Sequence, residues 1–206
     1  MRTHTRESQS NITPEIALEY LREGNERFVN NLKAHRDLLE QVNDTREGQF
    51  PFATILSCID SRVSAELVFD QGLGDIFSIR IAGNVLNDDI LGSMEFACKV
   101  AGSKLIVVLG HTKCGAVNGA VNQVKMGKLT GLLEKIQSSV TFVKNKFDFE
   151  VGNDEFMDAV VHKNVLDVAD DILKRSEVLN QMVEDGDIAI VKGVYSVETG
   201  IVDFLS

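Results

Sequence analysis

A nearly continuous apolar run, KLIVVLG at residues 104–110, indicates a strand that is buried on both of its faces. Three consecutive side chains in it, Ile106, Val107 and Val108, are β-branched, a type that favours strands. Strands that are apolar at successive positions, rather than at alternate ones, are typical of parallel sheets covered by helices on both sides. The run therefore favours an α/β fold over an antiparallel sheet with one solvated face.

Segments with strand and helix periodicity alternate along the rest of the chain. Strands are predicted at 52–57 and 75–83, and a closing strand pair is predicted at 188–205, with ETG as its turn. Helices are predicted at 13–31, 64–72, 88–102, 114–127, 130–145 and 156–186, the last region as two helices. The predicted fold class is α/β, with a mostly parallel β-sheet flanked by helices.

The N-terminal region divides into two parts. Residues 1–12 are polar and are expected to be loose, whereas residues 13–206 are expected to form a single domain. The helix at 13–31 has Thr13 as a candidate cap and Pro14 at its first position. This helix can pack on the core of its own chain or reach across to another subunit.

The charge and composition exclude several classes of partner. The 206 residues include 21 Lys and Arg against 31 Asp and Glu, a net charge of −10. An acidic chain repels phosphate backbones, so no nucleic-acid partner is expected. No stretch of 18 apolar residues is present, so no membrane partner is expected either. Three cysteines do not form a disulfide framework, which predicts a reducing, cytoplasmic location.

Two polar clusters follow predicted strands. SCIDSR contains Cys58, and GHTKCG contains His111 and Cys114. Ligands of open parallel sheets bind at the carboxyl ends of strands, so these three side chains converge if the two strands are neighbours. Two thiolates and an imidazole favour zinc and leave a fourth tetrahedral position open. A single cysteine at a strand end is more often a small buried apolar residue, and Cys98 is interpreted in that way.

Asp60 and Arg62 accompany the first cluster. In an extended segment they lie on the same face as Cys58, because side chains repeat every two residues. A bidentate pair between Arg62 and Asp60 would orient the carboxylate and hold it ionised. The alternative interpretation is an ion pair that only stabilises the loop.

Together, the two motifs resemble those of the β-class carbonic anhydrases. The matching residues are Cys58-x-Asp60-Ser61-Arg62 and Gly110-His111-x-x-Cys114-Gly115. The likeness extends to Gln49 and to the segments RIAGN at 80–84, GSMEFA at 92–97 and VYSVETGIVDF at 194–204. It runs from about residue 15 to the end of the chain.

The resemblance implies a zinc enzyme that hydrates CO2 reversibly to bicarbonate and a proton. Cys58, His111 and Cys114 would hold Zn²⁺, and zinc-bound hydroxide would attack CO2. Asp60 and Arg62 would form the catalytic dyad that orients the zinc-bound water, and Asp60 would be a fourth zinc ligand in a closed state. Two thiolates and an ionised carboxylate make this water less acidic, so activity is expected to rise above neutral pH.

The resemblance also implies the substrate pocket and the assembly. Gln49, Phe77, Ala82 and Phe96 would line the site for CO2 or bicarbonate. The N-terminal helices would pack on a partner subunit, in a homodimer that can assemble further to a tetramer.

Three other functions remain open from the sequence. A carbon disulfide or carbonyl sulfide hydrolase would use the same ligands and dyad. A non-catalytic zinc-binding protein would not need the dyad. An enzyme with a Cys58 or Cys114 nucleophile would be metal-free and would have one thiol of low pKa.

Overall fold

A five-stranded sheet in the order β2-β1-β3-β4-β5 forms the centre of the protein. The computed structural model describes residues 3–205. The first four strands in this order are parallel and β5 is antiparallel to β4, so the predicted α/β fold with a mostly parallel sheet is confirmed. The strands are β1 (Ala53–Ser57), β2 (Ile76–Arg80), β3 (Leu105–His111), β4 (Ala189–Tyr195) and β5 (Val202–Leu205).

Helices cover both faces of this sheet. They are α1 (Arg6–Ser10), α2 (Pro14–Val29), α3 (Leu38–Thr45), α4 (Ala65–Val68), α5 (Asp88–Glu95), α6 (Gly115–Val121), α7 (Gly127–Glu134), α8 (Gln137–Lys146), α9 (Asp154–Arg175) and α10 (Glu177–Glu184). A single π-helical turn, Phe96–Val100, continues α5. The region 156–186, predicted as two helices, contains most of α9 and all of α10.

The central strand β3 is buried along its whole length, as its continuous apolar run predicts. Its alternate side chains enter two separate cores. Val107 packs in the core beneath α2 and α4, and Val108 packs in the larger core beneath α5 to α10. The sheet is therefore covered on both faces, which is the arrangement that the continuous apolar run at 105–109 requires.

The segment 1–12, predicted to be loose, contains α1 in its described part. Thr5 caps this helix by accepting a hydrogen bond from the backbone N–H of Ser8. The buried Gln9 side chain donates to the carbonyl oxygens of Pro51 (2.7 Å) and Ala101 (2.9 Å). These two long-range bonds attach α1 to the body of the protein, and a polar composition does not reveal such bonds.

The helix α2 packs on the core of its own chain. Ala17 and Leu21 are fully buried there, and the Asn25 amide donates to the carbonyl oxygens of Val68 and Gly200. Gly24 permits the closest approach, because a Cβ at this position would lie 1.8 Å from the carbonyl oxygen of Phe69. Packing of the N-terminal helices on a partner subunit stays a prediction.

The helix α3 was not predicted from the sequence. Its side chains Leu38, Leu39 and Val42 are exposed rather than packed in the core. These side chains form an amphipathic stripe at positions i, i+1 and i+4, but the stripe faces solvent in the single chain instead of a core. Separately, no helix within residues 3–205 has the length and apolarity needed to cross a bilayer.

The close packing of α2 predicts a difference between two Gly→Ala substitutions. Gly24→Ala is expected to lower the free energy of unfolding by about 2 kcal/mol, because the new methyl group clashes with a backbone carbonyl. Gly131 is an exposed position of α7, and among the described residues no atom beyond its chain neighbours and its own helix backbone lies within 4 Å of the Cβ in Gly131→Ala. Gly131→Ala is expected to raise stability by about 0.5 kcal/mol through helix propensity.

Urea unfolding of the zinc-loaded protein, followed by circular dichroism, measures both variants. Equal stabilisation by the two substitutions would show that α2 does not pack against Phe69.

Candidate metal and catalytic site

Three potential metal ligands converge at the carboxyl ends of β1 and β3. Cys58 directly follows β1, His111 is the last residue of β3, and Cys114 is the N-cap residue of α6. The two strands are parallel neighbours, with Ser57 opposite Leu109. The two sulfur atoms and an imidazole nitrogen all lie within 4.8 Å of one another, and all three residues are buried.

The imidazole of His111 is oriented for metal binding. Its Nδ1 lies 2.9 Å from the carbonyl oxygen of Thr112, which can only accept, so Nδ1 carries the proton. Nε2 is therefore a free acceptor, and it is buried with no hydrogen-bond partner among the described residues. A buried unsatisfied acceptor costs free energy, and a cation at the centre of the three ligands would satisfy it.

The sulfur atoms of Cys58 and Cys114 lie close enough to influence each other's ionisation. The neighbouring Cys114 lowers the pKa of Cys58 to about 4, whereas Cys58 together with burial raises the pKa of Cys114, so the remaining proton of the pair stays on Cys114. A dication removes the remaining proton from such a pair, since metals bind the thiolate form. The donor set of two sulfurs and one imidazole nitrogen therefore fits Zn²⁺.

Cys98 differs from these two cysteines. It lies in the π-helical turn after α5, and burial alone raises the pKa of its thiol to about 12. Its sulfur packs in the larger core, in agreement with its interpretation as a packing residue.

The backbone around Gly83 supports the sulfur of Cys58. The Gly83 N–H donates to Cys58 Sγ at 3.3 Å, and the Asn164 amide on α9 donates to the Gly83 carbonyl at 3.0 Å. Gly83 has a φ of 67°, and a Cβ there would lie 2.8 Å from Cδ1 of Ile136. Only glycine combines this backbone conformation with this close packing.

Asp60 and Arg62 form a bidentate ion pair beside the ligands. Arg62 donates from Nε to Oδ1 (2.9 Å) and from Nη2 to Oδ2 (2.8 Å), and its backbone N–H also reaches Oδ1 (3.0 Å). These bonds hold the pKa of the Asp60 carboxyl well below its usual range. Oδ2 lies 4.0 Å from Nε2 of His111.

The local conformation of this pair differs from the predicted one. The segment after β1 is a turn, closed by a bond from the Val63 N–H to the Asp60 carbonyl, and not an extended strand. The Asp60–Arg62 pair arises from the turn rather than from alternation along a strand.

Comparisons with known proteins agree with this geometry. The family model described as carbonic anhydrase matches residues 53–202. Carbonic anhydrase 2 of Mycobacterium tuberculosis is 39% identical over 92% of this chain and 92% of its own length. The carbonic anhydrase of Mycolicibacterium smegmatis is 35% identical over 95% of each. The solved structure of the β-carbonic anhydrase CcaA is 26% identical, with a TM-score of 0.73, over 92% of this chain and 98% of that one.

The chain belongs to the β-carbonic anhydrase family. Proteins of this family use zinc, and Cys58, His111 and Cys114 form the group that can hold it here.

Arg80 is a positioning residue to which the sequence analysis assigned no role. Its guanidinium donates to the carbonyl oxygens of Cys58 (3.0 Å) and Asp60 (2.6 Å), so it holds the backbone that carries a ligand and the dyad. The signal that could have indicated this role is the RIAGN segment, which begins with Arg80 and resembles a segment of the β-carbonic anhydrases. Its location at the end of β2, next to β1, explains the contact.

The four predicted pocket residues do not come together in the single chain. The rings of Phe77 and Phe96 lie 6.4 Å apart, and both line a cavity of about 820 Å³ at the free edge of β2. Ala82 precedes Gly83 in the turn behind Cys58, whereas Gln49 is exposed in the segment before β1. None of the three metal ligands lines the phenylalanine cavity.

The ligand assignment predicts a difference between two cysteine substitutions. Cys114→Ala is expected to lower the zinc content from about one ion per chain towards zero, because two protein ligands hold zinc poorly. Cys98→Ala removes a buried thiol of the same size and is expected to leave the zinc content unchanged. Metal analysis after dialysis gives both values, and full zinc in Cys114→Ala would contradict the assignment.

Proposed function

We propose that this chain catalyses the reversible hydration of CO2 to bicarbonate and a proton, with zinc held by Cys58, His111 and Cys114. The observation that carries the proposal is the convergence of these ligands beside the ionised Asp60, in a member of the β-carbonic anhydrase family. Bound zinc supplies a Lewis acid that makes water a nucleophile near neutral pH.

The chemical role that we assign to Asp60 follows from its ionisation. A carboxylate without a proton can only accept hydrogen bonds, so Asp60 holds the reacting water by one of its hydrogens. The lone pair of that water is then directed away from Asp60 and towards CO2. Arg62 fixes the carboxylate through three hydrogen bonds, which limits the positions that the water can occupy.

The same bonds favour an open fourth metal position. Both carboxylate oxygens of Asp60 are engaged by Arg62. A closed state in which Asp60 binds zinc would have to break or rearrange these charge-assisted bonds. In the arrangement with Arg62 bound, Asp60 is available to water.

The burial of the two ligand cysteines disfavours a thiol nucleophile. Cys58 has the lower pKa, but only 4% of its surface is exposed, and its sulfur contacts Cys114 and Gly83. An electrophile therefore has no direct approach to it. Hydrolysis of carbon disulfide or carbonyl sulfide would use the same residues, and turnover of both substrates separates the two activities.

We also propose that two chains pair at the β2 edge, as a homodimer that can assemble further to a tetramer. β2 is an edge strand of the described sheet, and Phe96 beside it is 54% exposed. A second subunit would cover this apolar surface. It would also supply the walls of the substrate pocket that Gln49 and Ala82 of one chain do not form.

We place the protein in a reducing compartment such as the cytoplasm, because metal-binding thiols must stay reduced.

The proposed role of Asp60 predicts the behaviour of Asp60→Asn. Turnover is expected to fall about 100-fold, because the amide can present a donor to the water and loses the charge-assisted bonds to Arg62. Zinc content is expected to stay the same. Stopped-flow CO2 hydration with a pH indicator, on protein of known zinc content, gives the rate.

The matched control is Asp171→Asn, which changes a half-exposed carboxylate on α9 that pairs with Lys174. The pKa of Asp60 lies well below its usual range, so the loss in Asp60→Asn is expected to be similar at about pH 7 and about pH 9. The wild-type rate is expected to rise over that interval. Unchanged turnover in Asp60→Asn would contradict its role.

The proposed dimer predicts the behaviour of Phe96→Glu. The wild-type molar mass in solution is expected to be at least twice the 22.7 kDa of one chain. A buried charge at the interface is expected to shift Phe96→Glu towards the monomer. Light scattering coupled to gel filtration measures both, and Val124→Glu, at another exposed apolar position, is the control. A variant that keeps the wild-type mass would contradict pairing at this edge.

A further inference from the structure

A groove between α8 and α9 lies apart from the metal site. Its cavity has a volume of about 550 Å³, which is within the range of small-molecule binding sites. None of the metal ligands and neither residue of the dyad lines it. The lining residues are Phe142, Val143, Lys146, Phe147, Phe149, Ala159, His162, Lys163, Leu166 and Asp170.

The walls of the groove are aromatic and solvent-exposed. Phe142 and Phe147 are 40% and 42% exposed, although large apolar side chains are usually buried in a monomer. The rings of Phe147 and Phe149 stack at 5.3 Å with an interplanar angle of 9°. The intervening Asp148 does not line the groove, as expected for alternate side chains where the backbone leaves α8 in an extended conformation.

Two ammonium groups lie over these rings. Nζ of Lys146 is 5.0 Å from the centre of Phe142 and 5.7 Å from that of Phe147. Nζ of Lys163 is 4.5 Å from the centre of Phe142 and also pairs with Asp167. Within residues 3–205, Lys146 forms no ion pair with a carboxylate.

Lys146 provides the net positive charge at the aromatic end of the groove, because the charge of Lys163 is balanced by Asp167. Lys163 lies over the ring of Phe142, whereas Asp170 is seven residues beyond Lys163 along α9. At 1.5 Å per residue this separation is about 10 Å. An acidic protein of net charge −10 thus presents the ammonium group of Lys146 to solvent beside exposed aromatic rings.

From this arrangement we propose that the groove binds a small amphipathic organic anion, a carboxylate or sulfonate with an aromatic or aliphatic body. The body packs against Phe142, Phe147 and Phe149, and the anionic group lies beside Lys146. The two ammonium groups already occupy the ring faces that would attract a cation, so a cationic ligand would be repelled. An uncharged apolar ligand would leave the charge of Lys146 without a partner.

The proposal is independent of the hydration reaction. The groove shares no lining residue with the metal site, so binding there and CO2 hydration can succeed or fail separately. Rates of CO2 hydration, measured on the same preparations of wild type and groove variants, show whether the metal site of each variant is folded. Lys146 has no part in that site.

The direct test titrates 8-anilino-1-naphthalenesulfonate into the zinc-loaded full chain and follows its fluorescence. The wild type is expected to show saturable binding of one probe per chain. Lys146→Gln is expected to weaken binding about fivefold, because it removes the cation that pairs with the sulfonate. Phe147→Ala is expected to weaken binding by a similar factor, because it removes one aromatic wall.

The matched control is Lys144→Gln, which makes the same charge change on the same helix but does not line the groove. It is expected to change the affinity less than twofold. Equal affinities for Lys146→Gln and the wild type, or equal losses for Lys144→Gln and Lys146→Gln, would overturn the proposal.

A competition experiment tests the charge of the ligand. Decanoate is expected to displace the probe, whereas decanol at the same concentration is expected to displace it much less. Equal displacement by both would show that the groove binds apolar molecules without regard to charge, which would overturn the assignment of an anion.

Discussion

The parallel pairing of β1 with β3 is the interaction on which the candidate site depends. Both strands end at the same edge of the sheet, and Cys58 and His111 lie where they end. The chain then needs only a short loop to bring Cys114 to the start of α6. The apolar cores on both faces hold the two strands, and thereby determine the spacing of the ligands. The metal site is a consequence of sheet register rather than of local sequence alone.

At this edge of the sheet, buried metal ligands lie beside an ionised carboxylate, and neighbouring residues stabilise both. The unsatisfied Nε2 of His111 and a thiolate charge on the buried Cys58 are unfavourable in this site unless a cation binds there. Asp60 lies beside them and stays ionised, because Arg62 donates three hydrogen bonds to it. Arg80 and Gly83 hold the backbone around both groups. The groove between α8 and α9 presents a different chemistry, with cations over aromatic rings at the surface.

Several elements were predictable because their signals are local. Strand β3 follows from its unbroken apolar run, and α2 follows from Thr13, Pro14 and helical spacing. Other elements depend on distant contacts. Helix α1 is attached by bonds from Gln9 to Pro51 and Ala101, which no periodic pattern reveals. Helix α3 has an amphipathic pattern that the sequence analysis missed, and its apolar stripe faces solvent in the single chain. The four predicted pocket residues followed only from a family resemblance, and a single chain does not bring them together.

The sequence by itself determined the order in which strands and helices follow one another along the chain. It also determined the residue types of the metal ligands and the pairing of Asp60 with Arg62. Residue chemistry and short spacing are properties of the sequence, and they do not require the fold. Only the tertiary structure decided that β1 and β3 are neighbours, that Nε2 of His111 has no hydrogen-bond partner among residues 3–205, and that Arg80 holds the Cys58 backbone. It also decided that Lys146 lies over two rings. These contacts join residues that are distant in sequence, or they depend on the conformation of the side chains. In both cases the packing of the folded chain determines them.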